Sequence, residues 1–216
     1  MPKRDIMERR AYSFEIRAND TDSGTGIITG RPIVYESKTD LGYFDEIIKR
    51  GALKGANLKD VRFLVNHDMS RIPLARSRNN NENSTMQLTP DDDGLSIRVT
   101  LDIANNSEAR ALYSAVQRRD VSGMSFLFAV GEEDWAGLDT DHPTRSIISI
   151  AEVLEVSAVT FPAYEATEIE TRSKGALDSA RARALDNARH KAPDGAIELE
   201  RARNIIIANY GGMHHE

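Results

Sequence analysis

Hydrophobic and polar residues alternate in eight short runs spread over the first 160 residues, which is the pattern of half-buried β-strands. These runs predict strands at residues 12–17, 27–35, 61–65, 86–88, 95–101, 121–130, 146–150 and 153–160. Gly30 and Pro32 interrupt the second run, which predicts a bend or an edge strand there. The last two runs are either one strand or a strand pair, and the stretch at 135–144 is predicted to be a loop.

Helical spacing occurs once in the middle of the chain. Residues 106–118 have apolar side chains three and four positions apart, which predicts a helix with one buried face. That face consists of Ala109, Leu112, Tyr113 and Val116. The N-cap is one of three polar residues, Asn105, Asn106 and Ser107. A shorter amphipathic helix or turn is predicted at 44–53, with Gly51 as its C-terminal cap.

Composition divides the chain into three parts. Residues 1–11 are predicted to be a mobile N-terminal arm, and residues 12–170 a single domain. Residues 171–216 are rich in Ala and Arg and predict a helical extension, with helices at 176–191 and 196–208. Many short strands around one mid-chain helix predict a mainly β fold with helices (α+β), either a curled sheet or a β-barrel.

The composition excludes several classes of site. The chain has no cysteine, so a thiolate metal site, a disulfide framework and a cysteine nucleophile are all excluded. The net charge of -6 argues against nucleic-acid binding, which usually requires a basic face. No run approaches the roughly 20 apolar residues of a spanning helix. We therefore predict a protein without a nucleic-acid or membrane partner.

A serine and a histidine stand out as candidate catalytic residues. Ser125 lies in the run at 121–130, on the opposite face from Met124 and Phe126, and Ser122 is a nearby competitor. His67 follows the predicted strand at 61–65. The other four histidines lie in a loop or in the C-terminal segment: His142, His190, His214 and His215. Because a serine hydroxyl is a weak nucleophile until an imidazole takes its proton, the pair favours a Ser–His hydrolase.

A carboxylate would be needed to orient the imidazole of such a pair. Three candidates remain open on the residues alone: Asp68, Glu152 and Glu155. Glu155 shares a strand face with Ser157. Backbone N–H groups are the usual oxyanion donors and leave no sequence signature, so those donors are not assigned. Arg118 and Arg119 precede the Ser125 strand and are better explained as a solvated helix end.

Five short segments, in their order along the chain, resemble the prohead (capsid maturation) serine proteases of tailed phages of the HK97 type. They are residues 51–53, 66–68, 94–95, 123–126 and 155–164, within a resemblance that covers residues 12–168. The resemblance implies that His67, Ser125 and Glu155 are the catalytic residues, with no metal and no cofactor. It also implies a fold related to the herpesvirus assembly protease, a β-barrel ringed by helices.

The resemblance further implies an endopeptidase that acts inside the assembling prohead, in the cytoplasm of the bacterial host. Its substrates would be the scaffolding region of the major capsid protein and the protease itself. A homo-oligomer would follow by analogy with the herpesvirus enzyme. The alternative is a non-catalytic capsid assembly or scaffolding protein, in which His67 and Ser125 are structural. A small-molecule esterase is a weaker alternative, because the sequence lacks a Gly-x-Ser-x-Gly elbow.

Overall fold

The fold is mainly β with two helices over the residues that the computed structural model describes, which are 7–12, 16–19, 24–160 and 166–191. The expected fold class is therefore confirmed at this level. The first strands are β1 (Met7–Tyr12), β2 (Ile16–Asn19), β3 (Thr25–Val34), β4 (Lys38–Asp40), β5 (Asp45–Ile48), β6 (Asp60–Val65) and β7 (Ala75–Arg78). The remaining elements are β8 (Met86–Asp91), β9 (Gly94–Asp102), α1 (Ser107–Gln117), β10 (Gly123–Ala136), β11 (Thr144–Val159) and α2 (Ala166–Lys191).

The larger sheet is built around the long antiparallel pair β10 and β11. Strand β1 adds to the free edge of β10. Strands β5 and β6 both pair in parallel with β11, β5 near its beginning and β6 near its end. Strands β4 and β7 then complete the sheet beside β5 and β6. The 16 residues of β11 are long enough to hold both neighbours, so its second half brings β6 directly beside the Ser125 strand.

The smaller sheet has the order β2-β3-β9-β8 and shares a hydrophobic core with the larger one. In neither sheet does the strand order return to its first strand, so both are open across the described residues. The expected β-barrel is therefore not formed, because each sheet ends at unpaired outer strands. Fully buried side chains of both sheets meet in the core, and each one stabilises the fold by about 1.5–3 kcal/mol. They include Ile28, Phe63, Val99, Phe126 and Phe128.

Helix α1 covers part of this core and confirms the helix predicted at 106–118. Its buried residues are the four that the spacing predicted: Ala109, Leu112, Tyr113 and Val116. Asn106 is the N-cap, and its side-chain oxygen accepts hydrogen bonds from the backbone N–H groups of Glu108 and Ala109. The strands predicted at 86–88 and 95–101 are also confirmed, and they pair as the hairpin of β8 and β9.

Two local predictions differ from the structure. The helix or turn expected at 44–53 is wrong at its start, because residues 45–48 form β5, whose backbone pairs with the beginning of β11. The mobile arm expected at 1–11 overlaps β1, because residues 7–12 pair with β10. Both strands depend on a partner more than 90 positions away in sequence, which local periodicity does not reveal.

The chain divides into two compact units, residues 1–174 and 175–216. Helix α2 runs across this boundary and begins ten residues before the predicted helix at 176–191. The second helix predicted at 196–208 lies outside the described residues. No helix within the described residues is long and apolar enough to cross a membrane.

Candidate active site

His67 is positioned by the end of β6. Strand β6 runs parallel to β11, with Val65 opposite Ala158. The two residues after β6 then adopt left-handed backbone conformations, with φ of 51° at Asn66 and 56° at His67. Left-handed residues are uncommon outside glycine, and Asn and His are among those that tolerate the conformation. His67 therefore leaves the alternation of β6 and does not continue the strand face of Phe63 and Val65.

The side chain of Asn66 fixes this turn. Its Oδ1 accepts a hydrogen bond of 3.0 Å from the backbone N–H of Thr160, which follows β11. Its backbone N–H donates to the carbonyl of Ala158. These two contacts tie the turn to the end of β11.

Ser125 and Glu155 lie on the two central strands of the sheet. In the pairing of β10 with β11, Ser125 is opposite Ser157, and Glu155 is opposite Leu127. Directly opposed residues of an antiparallel pair point to the same face of the sheet. Because β6 runs along the other edge of β11, its terminal turn brings His67 over this same face. Strands β10 and β11 and the turn after β6 therefore contribute one residue each to the site.

The three side chains form one chain of hydrogen bonds. His67 Nε2 lies 2.6 Å from Ser125 Oγ, and His67 Nδ1 lies 2.7 Å from Glu155 Oε1. All three residues are buried, with relative exposures of 5% for His67, 0% for Ser125 and 1% for Glu155. A carboxylate only accepts hydrogen bonds, so Nδ1 carries a hydrogen and donates this bond to Glu155. This tautomer leaves Nε2 free to accept the proton of the serine hydroxyl.

Ser157 supports this arrangement, although no motif in the sequence predicts a role for it. Its Oγ accepts a hydrogen bond of 3.1 Å from the backbone N–H of His67 and donates one of 3.1 Å to Glu155 Oε2. One hydroxyl thus connects the histidine backbone to the second oxygen of the carboxylate. The signal that could have identified Ser157 was its position two residues after Glu155, on the same strand face.

The other candidate serine and carboxylates are exposed or form hydrogen bonds with residues outside the site. Ser122 is exposed and precedes β10. Glu152 accepts a hydrogen bond of 2.7 Å from Asn57, and the exposed Asp68 accepts one of 3.0 Å from the backbone of Ser70. Arg118 lies at the end of α1, where its guanidinium contacts Asp120 at 2.8 Å.

Ser125 is covered by the first strand. Its Oγ donates a hydrogen bond of 2.8 Å to the backbone carbonyl of Arg10 in β1. A cavity of about 450 Å³ lies beside the site, between the segment after β6 and α1. Its lining includes Asn66 and Asp68, on either side of His67, and Val121, which precedes β10. The floor is largely apolar, and Asp68 and Glu108 bring carboxylates to it.

A second cluster of polar groups lies away from this site. Carboxylate and imidazole atoms of Asp40, Asp45 and His142 come close enough together to hold a metal ion. The ammonium group of Lys38, however, forms a salt bridge with Asp45. Burial raises the pKa of Asp45, but hydrogen bonds from Lys38 and His142 outweigh it and lower this pKa overall. Lys38 therefore already offsets part of the negative charge of the cluster, and we assign no metal to it.

Comparisons with known proteins identify a matching family and two similar proteins. A family model described as caudovirus prohead serine protease matches residues 12–180. The prohead protease of Enterobacteria phage HK97 is 30% identical over 147 residues, which cover 67% of this chain and 59% of that relative. The chain thus spans about three-fifths of the length of this curated relative. Among solved structures, the bacteriophage T4 capsid assembly protease, gp21, matches with a TM-score of 0.41 at 10% identity. That match covers 71% of this chain and 96% of the T4 chain.

Proposed function

Because this chain belongs to the caudovirus prohead serine protease family, we propose that it is a serine endopeptidase of phage prohead maturation. The family match confirms the resemblance that the sequence predicted. We propose as its substrates the scaffolding region of the major capsid protein and the protease itself. We place its action in the cytoplasm of the bacterial host, inside the assembling prohead, where it needs neither a metal nor an organic cofactor.

The observation that carries the catalytic proposal is the hydrogen-bonded series Glu155, His67 and Ser125, with distances of 2.7 and 2.6 Å. In the first step Ser125 Oγ attacks the carbonyl carbon of the substrate, while His67 Nε2 takes the hydroxyl proton. The C–N bond then breaks, and His67 passes the same proton to the leaving amine. Water, deprotonated by His67, attacks the acyl-enzyme, and the ester bond to Ser125 Oγ breaks. His67 returns the proton to Ser125 Oγ as the second product leaves.

Glu155 would act on His67 rather than on the substrate. Its carboxylate holds the Nδ1–H tautomer and stabilises the imidazolium that forms in each step. The contacts of Ser157 with both residues would restrict their motion, which matters because a proton acceptor must stay within hydrogen-bond reach of its donor. The buried setting also strengthens the attraction between carboxylate and imidazolium.

Intact mass after co-expression with the major capsid protein of the same phage tests the proposal. We expect the unaltered chain to produce a truncated capsid protein, and the Ser125→Ala variant to leave it at full length. Ser122→Ala is the matched control, because this neighbouring serine is exposed and precedes β10. We expect that variant to process the capsid protein like the unaltered chain.

Equal capsid-protein masses with and without the Ser125→Ala change would contradict the proposal. The same outcome would favour the alternative, a capsid assembly or scaffolding protein without catalysis. The observation that favours this alternative is the complete burial of Ser125, whose Oγ is hydrogen-bonded to β1.

A further inference from the structure

Strand β1 occupies the place in which a protease would bind an extended substrate. It pairs antiparallel with the edge of β10 over all six of its residues, with Ala11 opposite Ser125. Addition of an extended peptide to a sheet edge is a recurring mode of peptide recognition. The carbonyl oxygen of Arg10 lies 2.8 Å from Ser125 Oγ, which puts the Arg10–Ala11 peptide group directly at the nucleophile.

The Arg10 carbonyl also competes with His67 for one proton. A serine hydroxyl has a single hydrogen to donate. Two acceptors lie within reach of it, the Arg10 carbonyl at 2.8 Å and His67 Nε2 at 2.6 Å. While β1 is in place, Ser125 has no exposed surface. A substrate must therefore displace β1 before it can reach the nucleophile.

The side chain of Arg10 enters a charged site on the other side of the strand. Its Nη2 donates a hydrogen bond of 2.6 Å to Glu46 Oε2, and its Nε contacts Glu46 Oε1. This paired contact between a guanidinium and a carboxylate is specific in geometry as well as in charge. Glu46 has a side-chain exposure of 0%, and Arg10 one of 6%, so the contact is fully screened from water.

Glu46 also faces a second cation that belongs to the sheet itself. Arg145 of β11 donates to Glu46 Oε2 at 3.0 Å and forms a salt bridge with Glu133. Arg145 also donates to both oxygens of Glu8 in β1, at 2.6 and 2.7 Å, so β1 supplies one carboxylate and one guanidinium to this group. Departure of β1 therefore leaves the net charge of the group unchanged, but Glu46 loses the paired contact that Arg10 makes with both of its oxygens. A basic side chain in the position of Arg10 would restore a charge-assisted hydrogen bond to this fully buried carboxylate.

We propose, resting on the protease function above, that β1 mimics the substrate strand and that Glu46 selects a basic side chain in the substrate. The Arg or Lys residue would take the position of Arg10, so that its carbonyl carbon is the one that Ser125 attacks. Its side chain would bind Glu46 as the Arg10 guanidinium does. Cleavage breaks the bond between this residue and the next, His67 protonates the new amine, and water releases the new carboxylate.

The test uses the full chain with Arg10→Gln, so that β1 no longer supplies a guanidinium to Glu46. The probe is a synthetic peptide with the sequence of residues 4–16, compared with versions of the peptide that carry Arg10→Lys, Arg10→Gln or Arg10→Glu. We expect kcat/KM for the Arg and Lys peptides to exceed that for the Gln peptide by at least about tenfold. Mass spectrometry should locate cleavage directly after the varied residue. The Ser125→Ala chain defines the background.

A second enzyme variant tests the selecting residue. Addition of Glu46→Gln should reduce the ratio between the Arg and Gln peptides to about one, since the amide carries no charge. The peptide comparison on the chain with Glu46 intact does not depend on how this variant folds. Ser125-dependent cleavage without a preference for a basic residue would overturn the inference, as would a preference that survives Glu46→Gln.

The failure of this inference and that of the proposed function are distinguishable. If the capsid protein is cut in a Ser125-dependent way but none of the peptides is, the substrate-mimic inference is wrong and the protease function stands. If neither the capsid protein nor any peptide is cut, both are wrong.

Discussion

Glu155 is the residue whose proposed role depends most on a single contact, the 2.7 Å hydrogen bond from His67 Nδ1. We expect Glu155→Gln to fold, because the amide has nearly the same shape and keeps an oxygen acceptor. An amide does not stabilise the imidazolium, and its N–H₂ group favours the wrong imidazole tautomer. We therefore expect the rate at which the variant cleaves the capsid protein to fall by about 10²- to 10⁴-fold. The thermal midpoint of the variant, measured in parallel, checks that it folds.

Glu152→Gln is the matched control for this change, because Glu152 lies on the same strand and contacts Asn57. We expect it to retain the rate of the unaltered chain. Similar losses in both variants would show that a carboxylate on β11 matters for reasons other than the orientation of His67.

At this scale the sequence predicted the separate residues better than their connections. His67 and Ser125 were recognisable as a candidate pair, whereas the choice among three carboxylates came from the family resemblance. Ser157 and Glu46 did not stand out in the sequence, because their contacts reach residues 90 and 36 positions away. Such contacts follow from strand pairing and leave no local pattern.

The hairpin of β8 and β9 shows how a single backbone position can hold an element in place. Gly94 begins β9 with φ of 143°, and a Cβ atom there would lie 1.9 Å from the carbonyl oxygen of Ile33. Backbone cannot move aside as a flexible side chain can. We expect Gly94→Ala to lower the free energy of unfolding by on the order of 3 kcal/mol or more, measured by denaturant titration.

Gly55→Ala separates the clash from the cost of the backbone conformation. Gly55 also has a positive φ, 87°, but a Cβ atom there would meet nothing within 4 Å. We expect this change to cost only about 1 kcal/mol. Equal losses at both positions would mean that backbone conformation, and not the contact with Ile33, limits Gly94.

Element prediction succeeded where the signal is local. Helix α1 and the β8–β9 hairpin are set by spacing, capping and turn residues within a dozen positions. The stretch at 44–53 was ambiguous, because a short apolar run fits either period. It becomes β5 because it pairs with β4 on one side and, in parallel, with β11 about 100 residues later on the other. Strand β1 likewise pairs with β10, more than 100 residues away.

At the scale of the whole molecule, ion pairs between carboxylates and arginines join distant parts of the chain. Hydrogen bonds from Arg76 hold the pKa of Asp60 below its ordinary value, and those from Arg31 do the same for Asp91. Burial raises the pKa of Glu8, but the charges and hydrogen bonds of Arg10 and Arg145 outweigh it and lower this pKa overall. All three carboxylates belong to pairs that exist only in the folded chain.

These shifts determine how stability should respond to acid. Each carboxyl has a lower pKa in the folded chain than in the unfolded one, so below about pH 4 the unfolded chain binds more protons. The stabilisation is complete above the ordinary pKa and is lost as the pH falls through the folded value. We expect the thermal midpoint, followed by circular dichroism, to be lower at about pH 3 than at about pH 6.

Arg31→Gln provides the internal comparison, since it removes the partner that lowers the pKa of Asp91. Its midpoint should fall less steeply between the same two pH values, because one of the shifted carboxyls then returns toward its ordinary pKa. The difference should be small, as the Arg31–Asp91 pair is partly exposed and screened by solvent. A midpoint that stays constant or rises on acidification would contradict the view that these ion pairs stabilise the fold.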